Sequence, residues 1–340
     1  MRGLPDPDSL NNFIRRLPKA ELHLHVEGTV TPETLVELSR RHDSEPLDLE
    51  QAKAVYGYTD FSGFLMAFKA VTERLRTPED YELIAYRMLE RLASQGVTHA
   101  EIYVAVGVIY YWGREPDPLF TGLERARVRA EQEFGITAYW IFDAVRQFGV
   151  DKAAQVFRKA AEMRQGYPSI IGIGIGGDER HTGAEPFRGL YAEARDAGLR
   201  LTAHAGESVG PEGIWGALNI GAERVGHGLT AIHDADLMGI LAERQIPIEV
   251  CITSNLRTGC CRELAEHPVR RYFDSGLMVT LNSDDPAMFQ SDLENEFRIA
   301  HDDFGFSNEH MRELAANSIE ASFLPPERKV ELLHQIEKAV

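Results

Sequence analysis

Short runs of aliphatic and β-branched residues alternate along this chain with longer stretches whose apolar positions recur every three or four residues. The first pattern predicts buried strands and the second amphipathic helices. The predicted strands are Glu21–Val26, His99–Ala105, Thr137–Phe142, Ser169–Ile175, Arg200–His204, Arg224–His227, Pro247–Cys251 and Met278–Leu281. Helical patterns between them include Pro78–Ser94, Leu123–Glu133, Asp151–Arg164, Glu185–Ala197, Gly213–Ile220 and Ala235–Arg244, with Gly96, Gly135, Gly198 and Pro247 at junctions. Eight strands alternating with helices predict an α/β fold with a parallel sheet, and the count suits a closed (β/α)8 TIM barrel. An open doubly wound sheet competes, but its usual G-x-G-x-x-G loop after the first strand is missing. The run Gly172, Gly174, Gly176, Gly177 ends in Asp178-Glu179 and reads as backbone that approaches a ligand closely.

One stretch breaks the rhythm. Residues 27–98 are too many for a single crossover helix, so a helical insertion is expected between the first and second strands. Within it, Asp60–Leu75 places Phe61, Phe64, Leu65, Phe68 and Val71 on one stripe at helical spacing. Such a helix can pack the core, cover the barrel mouth, or do both, which makes Phe64 and Phe68 candidate substrate contacts. The expected organisation is one barrel domain over residues 1–340: first strand within 17–26, insertion 27–98, remaining barrel 99–290 and C-terminal helices 291–340.

Composition narrows the function. With 53 acidic and 36 basic residues the formal charge is −17. A body that acidic repels phosphate backbones and anionic lipid, so neither nucleic acid nor membrane is the expected partner. The three cysteines, Cys251, Cys260 and Cys261, form no disulfide framework and point to a reducing compartment. Adjacent Cys260 and Cys261 are expected as small buried residues in a helix, since no second pair exists to complete a zinc site. Met1–Leu17 lacks the apolar core of a signal peptide, and no run approaches a membrane span, so a cytoplasmic protein is expected. The oligomeric state is left open.

The chemistry lies in polar clusters that end different predicted strands: His25-Val26-Glu27, Gly177-Asp178, His204-Ala205-Gly206-Glu207, His227 and Asp284-Asp285. In a barrel those ends share the face where active sites are built. Side chains at i and i+2 of a strand leave the same face about 6–7 Å apart, so His23 and His25 can reach one metal ion. His204 and Asp284 would complete the ligand set. Three histidines and an aspartate suit zinc, with iron or manganese as substitutes. Coordination lowers the pKa of bound water toward ~7. Glu207 and His227 then remain for proton transfer, Glu207 as acid and His227 to orient or deprotonate the water. A rival from another class is a metal-free barrel glycosidase, in which Glu207 and Asp284 would be the carboxylate pair.

The motifs E-L-H-L-H-V-E-G, G-G-D-E, H-A-G-E, G-H-G and L-N-S-D-D-P, in this order, resemble the adenosine/adenine deaminase family of the amidohydrolase superfamily. The resemblance runs from about Leu17 to the last helices. It implies a (β/α)8 barrel with one zinc ion (Zn²⁺) per chain and hydrolytic removal of the 6-amino group of a purine. By position, His23, His25, His204 and Asp284 resemble the zinc ligands, and Glu207 the acid that protonates purine N1. His227 resembles the residue that orients and deprotonates the water, Asp285 the partner of N7, and Gly177 the N–H that meets N3. The predicted fourth strand has no lysine to bridge a second metal, and the P-C-x-x-C of cytidine-type deaminases is absent.

The branch of the family sets the substrate. Adenosine enzymes usually carry aspartate at Glu27, where it helps bind the ribose 5′-hydroxyl; glutamate there is similar to adenine deaminases. Ser254-Asn255-Leu256-Arg257-Thr258-Gly259 is similar to the nucleoside enzymes. A third branch acts on 6-aminodeoxyfutalosine, a menaquinone-pathway nucleoside whose 5′ end carries a ketone chain and a benzoate. For it, Gly107–Trp112 would offer aromatic surface and Arg257 a carboxylate partner. The expected partner is therefore a purine nucleoside, adenosine or 6-aminodeoxyfutalosine, with free adenine as the alternative.

Overall fold

The structure, a computed structural model, describes residues 7–339; the first residues of the N-terminal segment lie outside this range. Its strands are Lys19–His25 (β1), Val97–Val104 (β2), Thr137–Val145 (β3), Ile170–Gly176 (β4), Arg200–Ala205 (β5), Arg224–His227 (β6), Ile248–Val250 (β7) and Val279–Leu281 (β8). Each pairs in parallel with the next, in the order β1 to β8. Helices surround them, giving the (β/α)8 barrel. Side chains stitch the seam between β8 and β1. Asn282 Oδ1 stands in for a ladder carbonyl, accepting Leu22 N–H at 2.9 Å and His23 N–H at 3.1 Å. Beyond it, His25 N–H reaches Asp284 O at 2.9 Å and Asp284 N–H reaches His23 O at 3.0 Å.

Strand alternation explains why the interior is polar. On β1, Ala20, Leu22 and Leu24 join the hydrophobic core, while Glu21, His23 and His25 alternate with them. On β5, Leu201, Ala203 and Ala205 belong to the core and Thr202 and His204 alternate with them. The buried guanidinium of Arg224 is paired with two carboxylates. Arg224 bonds Glu101 and, through Nε at 2.6 Å, Glu249, whose other oxygen lies 2.8 Å from His23 Nδ1. A buried ion pair needs such additional partners to offset desolvation. The network sits under the candidate metal ligands and fixes the orientation of one of them.

Between β1 and β2 run a 3₁₀ turn and the helices Pro32–His42, Leu49–Val55, Phe61–Thr72 and Pro78–Ser94. Asp60 caps Phe61–Thr72 by accepting Gly63 N–H at 2.8 Å. At its other end Arg114 donates to the carbonyls of Thr72 (3.0 Å) and Leu75 (3.1 Å). Cys260 and Cys261 differ from expectation: they lie in a bend after the helix Ile252–Arg257, not in a helix. Gly259, at φ +74°, ends that helix in the left-handed region. No helix among the described residues is long and apolar enough to cross a membrane.

Candidate active site

The C-terminal strand ends bring His23 and His25 (β1), His204 (β5), His227 (β6) and Asp284 (after β8) together. His23, His204, His227 and Asp284 each offer a ligand atom within 4.8 Å of the others, as do His25, Asp284 and Asp285. Asp284 Oδ1 lies 3.5 Å from His23 Nε2 and 3.4 Å from His25 Nε2. Two of these residues, His227 and Asp284, adopt φ of +63° without being glycine. Such a conformation costs on the order of 1–3 kcal/mol and persists where surrounding structure imposes it.

Donor chemistry argues for a cation here. His204 Nδ1 lies 3.1 Å from Ile175 O, so it carries the ring proton and leaves a lone pair on Nε2. That lone pair faces His25 Nε2 at 3.2 Å, and burial lowers the His25 pKa to about 4, so His25 is a neutral ring that keeps one nitrogen lone pair. His23, held by Glu249 through Nδ1, has no hydrogen-bond partner for its buried Nε2. Ring nitrogens and one carboxylate oxygen converging on one point fit a borderline transition ion. Outer partners that orient ligand rings are a regular part of such centres.

Glu207 stands beside this cluster, with Oε2 3.7 Å from His227 Nε2. Burial, reinforced by Asp284 and Glu179, pushes its carboxyl up to about 8. A group so shifted holds a proton near neutrality, as a general acid must. Its loop is held by a residue that sequence reasoning left without a role. The Glu179 carboxylate accepts the N–H groups of Gly206 (2.8 Å), Glu207 (2.8 Å) and Ser208 (3.0 Å). A signal existed: an acidic residue in the loop just after the fourth strand, on the face where the other polar clusters lie. Glu179→Ala leaves three donors without that partner, so we expect a stability loss of about 2–3 kcal/mol in chemical denaturation. A lower kcat should accompany it. Wild-type stability and rate would show that the loop holds itself.

A cavity of about 300 Å³ opens onto the cluster. His25, His204, Glu207, His227, Asp284, Asp285 and Gly177 line its inner part, and Phe64, Phe68, Val108, Tyr111, Trp112 and Phe148 its outer part. Phe64 and Phe68 both pack the core and face the cavity. Gly28 lets Asp285 sit where it does, because a Cβ there would overlap the Asp285 carboxylate.

Two expected contacts do not line this cavity. Glu27 is buried and turns its carboxylate to the Ala105 N–H at the end of β2, 3.1 Å away. Burial pushes its pKa up to about 7. Arg257, half-buried at the end of the helix after β7, does not line it either. That helix presents other side chains inward: Ser254 Oγ donates to Asp284 Oδ2 at 2.6 Å, and Asn255 bonds His227. The cation that does line the cavity is Lys69, on the helix of Phe64 and Phe68. Its Nζ lies 5.7 Å from the ring centres of both Tyr111 and Trp112.

The glycosidase alternative fails on geometry, since Asp284 is engaged by His23, His25 and Ser254 and cannot act as a free catalytic carboxylate. Comparison with known proteins agrees. The adenosine deaminase family profile matches residues 18–339. An aminodeoxyfutalosine deaminase of Streptomyces avermitilis is 39% identical, covering 99% of this chain and 96% of its own. An adenine deaminase of Hahella chejuensis is 34% identical over 97% of this chain and 98% of its own. Among solved structures, an adenine deaminase from Arthrobacter aurescens superposes with a TM-score of 0.90 at 34% identity, covering 95% and 98% of the two chains. An amidohydrolase from Burkholderia ambifaria with bound zinc gives 0.88 at 27% identity, covering 99% and 95%. Barrel, cluster and these matches agree, and the chain belongs to the adenosine deaminase family of metal-dependent hydrolytic deaminases.

Proposed function

We propose that this enzyme binds one zinc ion through His23, His25, His204 and Asp284 and deaminates a 6-aminopurine nucleoside, with 6-aminodeoxyfutalosine as its substrate. Zinc, when bound, supplies the Lewis acidity that makes water nucleophilic near neutral pH. The chain's own groups do the rest. Glu207 holds a proton for purine N1, which makes C6 electrophilic. Asp285 meets N7, the Gly177 N–H meets N3, and His227 orients the attacking water. The free thiols Cys251, Cys260 and Cys261 fit a cytoplasmic setting.

The observation that carries the substrate is the outer part of the cavity. Tyr111 stacks on Phe148 with centroids 5.6 Å apart and planes 12° from parallel, and Lys69, which lines the cavity, lies beside Tyr111 and Trp112. Free adenine would leave that wall unused, and adenosine would set its 5′-hydroxyl against aromatic rings. An aryl carboxylate matches rings and cation together. The likeness to adenine deaminases favours free adenine as the second reading.

Parallel ammonia-release kinetics on 6-aminodeoxyfutalosine, adenosine and adenine decide between them. We expect kcat/KM for 6-aminodeoxyfutalosine to exceed the others by at least about 100-fold. Equal or better turnover of adenine would overturn the assignment. Lys69→Met should raise KM for the carboxylate-bearing substrate about 5-fold, as loss of an exposed ion pair does, and leave KM for adenosine unchanged.

A further inference from the structure

A hydrogen-bond chain behind His227 ends on a backbone group whose polarity is fixed. The Val269 N–H donates to His267 Nδ1 at 3.2 Å, so that nitrogen carries a lone pair. His267 is buried, and its pKa is lowered by burial to about 4; as a neutral ring it must then hold its proton on Nε2. His267 Nε2 lies 3.2 Å from Asn255 Oδ1, which accepts that proton's hydrogen bond. The amide of Asn255 therefore has one orientation, with its NH₂ toward His227. Asn255 Nδ2 is 3.2 Å from His227 Nδ1 and donates to it. Both Asn255 and His267 are almost wholly removed from solvent, so water does not compete for these partners.

We propose that His267 and Asn255 are positioning residues that hold His227 in the tautomer with its proton on Nε2, so that His227 meets the reactants as a hydrogen-bond donor. The inference rests on the reading of His227 as a residue of the deamination site. It also chooses between the two roles that site could give His227. With Nδ1 occupied by Asn255 and Nε2 already protonated, the neutral ring has no lone pair with which to take a proton from water. It orients the attacking oxygen. Removal of the water proton falls to another group, and Glu207, the carboxyl that faces His227 Nε2, can take it once it has given its own proton to N1. A tautomer set by remote partners is a device that the catalytic histidines of other enzymes also use.

The direct test is ¹⁵N NMR of histidine-labelled enzyme, with and without zinc, the His227 signals being identified by their loss in His227→Gln. We expect wild-type His227 to be protonated on Nε2 and not on Nδ1. Asn255→Asp supplies an acceptor in place of the donor and should move a proton onto Nδ1. A wild-type ring protonated on Nδ1 would overturn the proposal, whatever the kinetics show. In turnover, Asn255→Asp and His267→Leu should each lower kcat about 10- to 100-fold, with KM and zinc content unchanged. His267→Gln, which can still present an N–H to Asn255, should recover most of the loss. Wild-type kcat in both Asn255→Asp and His267→Leu would also overturn it. Full activity in His227→Gln is a different failure: it removes His227 from the reaction while the tautomer measurement stands.

Discussion

Glu207→Gln should keep its metal and lose about 10²- to 10⁴-fold in kcat, the range that a positioned proton donor contributes. The substitution preserves the size and hydrogen-bonding reach of the side chain but removes the proton it can transfer. Nothing in the loop depends on that proton, because Glu179 grips the backbone N–H groups of Gly206, Glu207 and Ser208 rather than the Glu207 side chain. Folding and zinc content should therefore stay at wild-type values while turnover collapses. Ammonia release together with metal analysis of the same preparation separates the two properties. A variant turning over at a near-normal rate would rule Glu207 out as the acid.

His25→Ala should fail in the other order, losing metal first and activity as a consequence. The His25 Nε2 sits 3.4 Å from Asp284 Oδ1 and 3.2 Å from His204 Nε2, among the converging donors. Loss of an outer-shell partner costs about 10- to 100-fold in metal affinity, and loss of a direct donor should exceed that. The His25 ring also stacks on Tyr103, with centroids 5.0 Å apart and planes 21° from parallel, so its removal leaves a gap in the barrel interior. We expect zinc well below one per chain, activity at background and a lowered thermal midpoint. A variant that retains stoichiometric zinc would remove His25 from the ligand set and leave the group of His23, His204, His227 and Asp284. Glu207→Gln and His25→Ala together thus distinguish a proton donor from a ligand, which a rate measurement alone does not.

The features legible in the sequence are those written in local order. The strand runs were readable because a buried parallel strand needs consecutive β-formers, and the observed strands fall within a few residues of those runs. The His23–His25 pair, His204 and Asp284 were readable for the same reason: strand period and position at a strand end put them on one face. Other features depend on partners far along the chain. Glu27 was expected against the substrate, and its neighbours in sequence do not say that Ala105 offers a free N–H to it. Arg257 was expected as the carboxylate partner, yet the helix after β7 turns Ser254 and Asn255 inward instead. Lys69 was passed over because its role depends on Tyr111 and Trp112, more than 40 residues away and brought over it by the fold.

By itself, then, the sequence determined the barrel, the strand ends that carry the donors, and the class of reaction. Alternation of polar and apolar residues and the types of ionisable side chain are local properties, and they suffice for the first two; the reaction class came with the motifs that resemble the deaminase family. Tertiary structure alone decided the orientations: which nitrogen of His23 and His204 is left free by its partner, which backbone groups hold the Glu207 loop, and which cation lines the outer cavity. The physical reason is that hydrogen-bond polarity and side-chain direction are set by whichever group lies opposite. At this barrel mouth the opposing groups come from strands and helices scattered from β1 to the segment after β8.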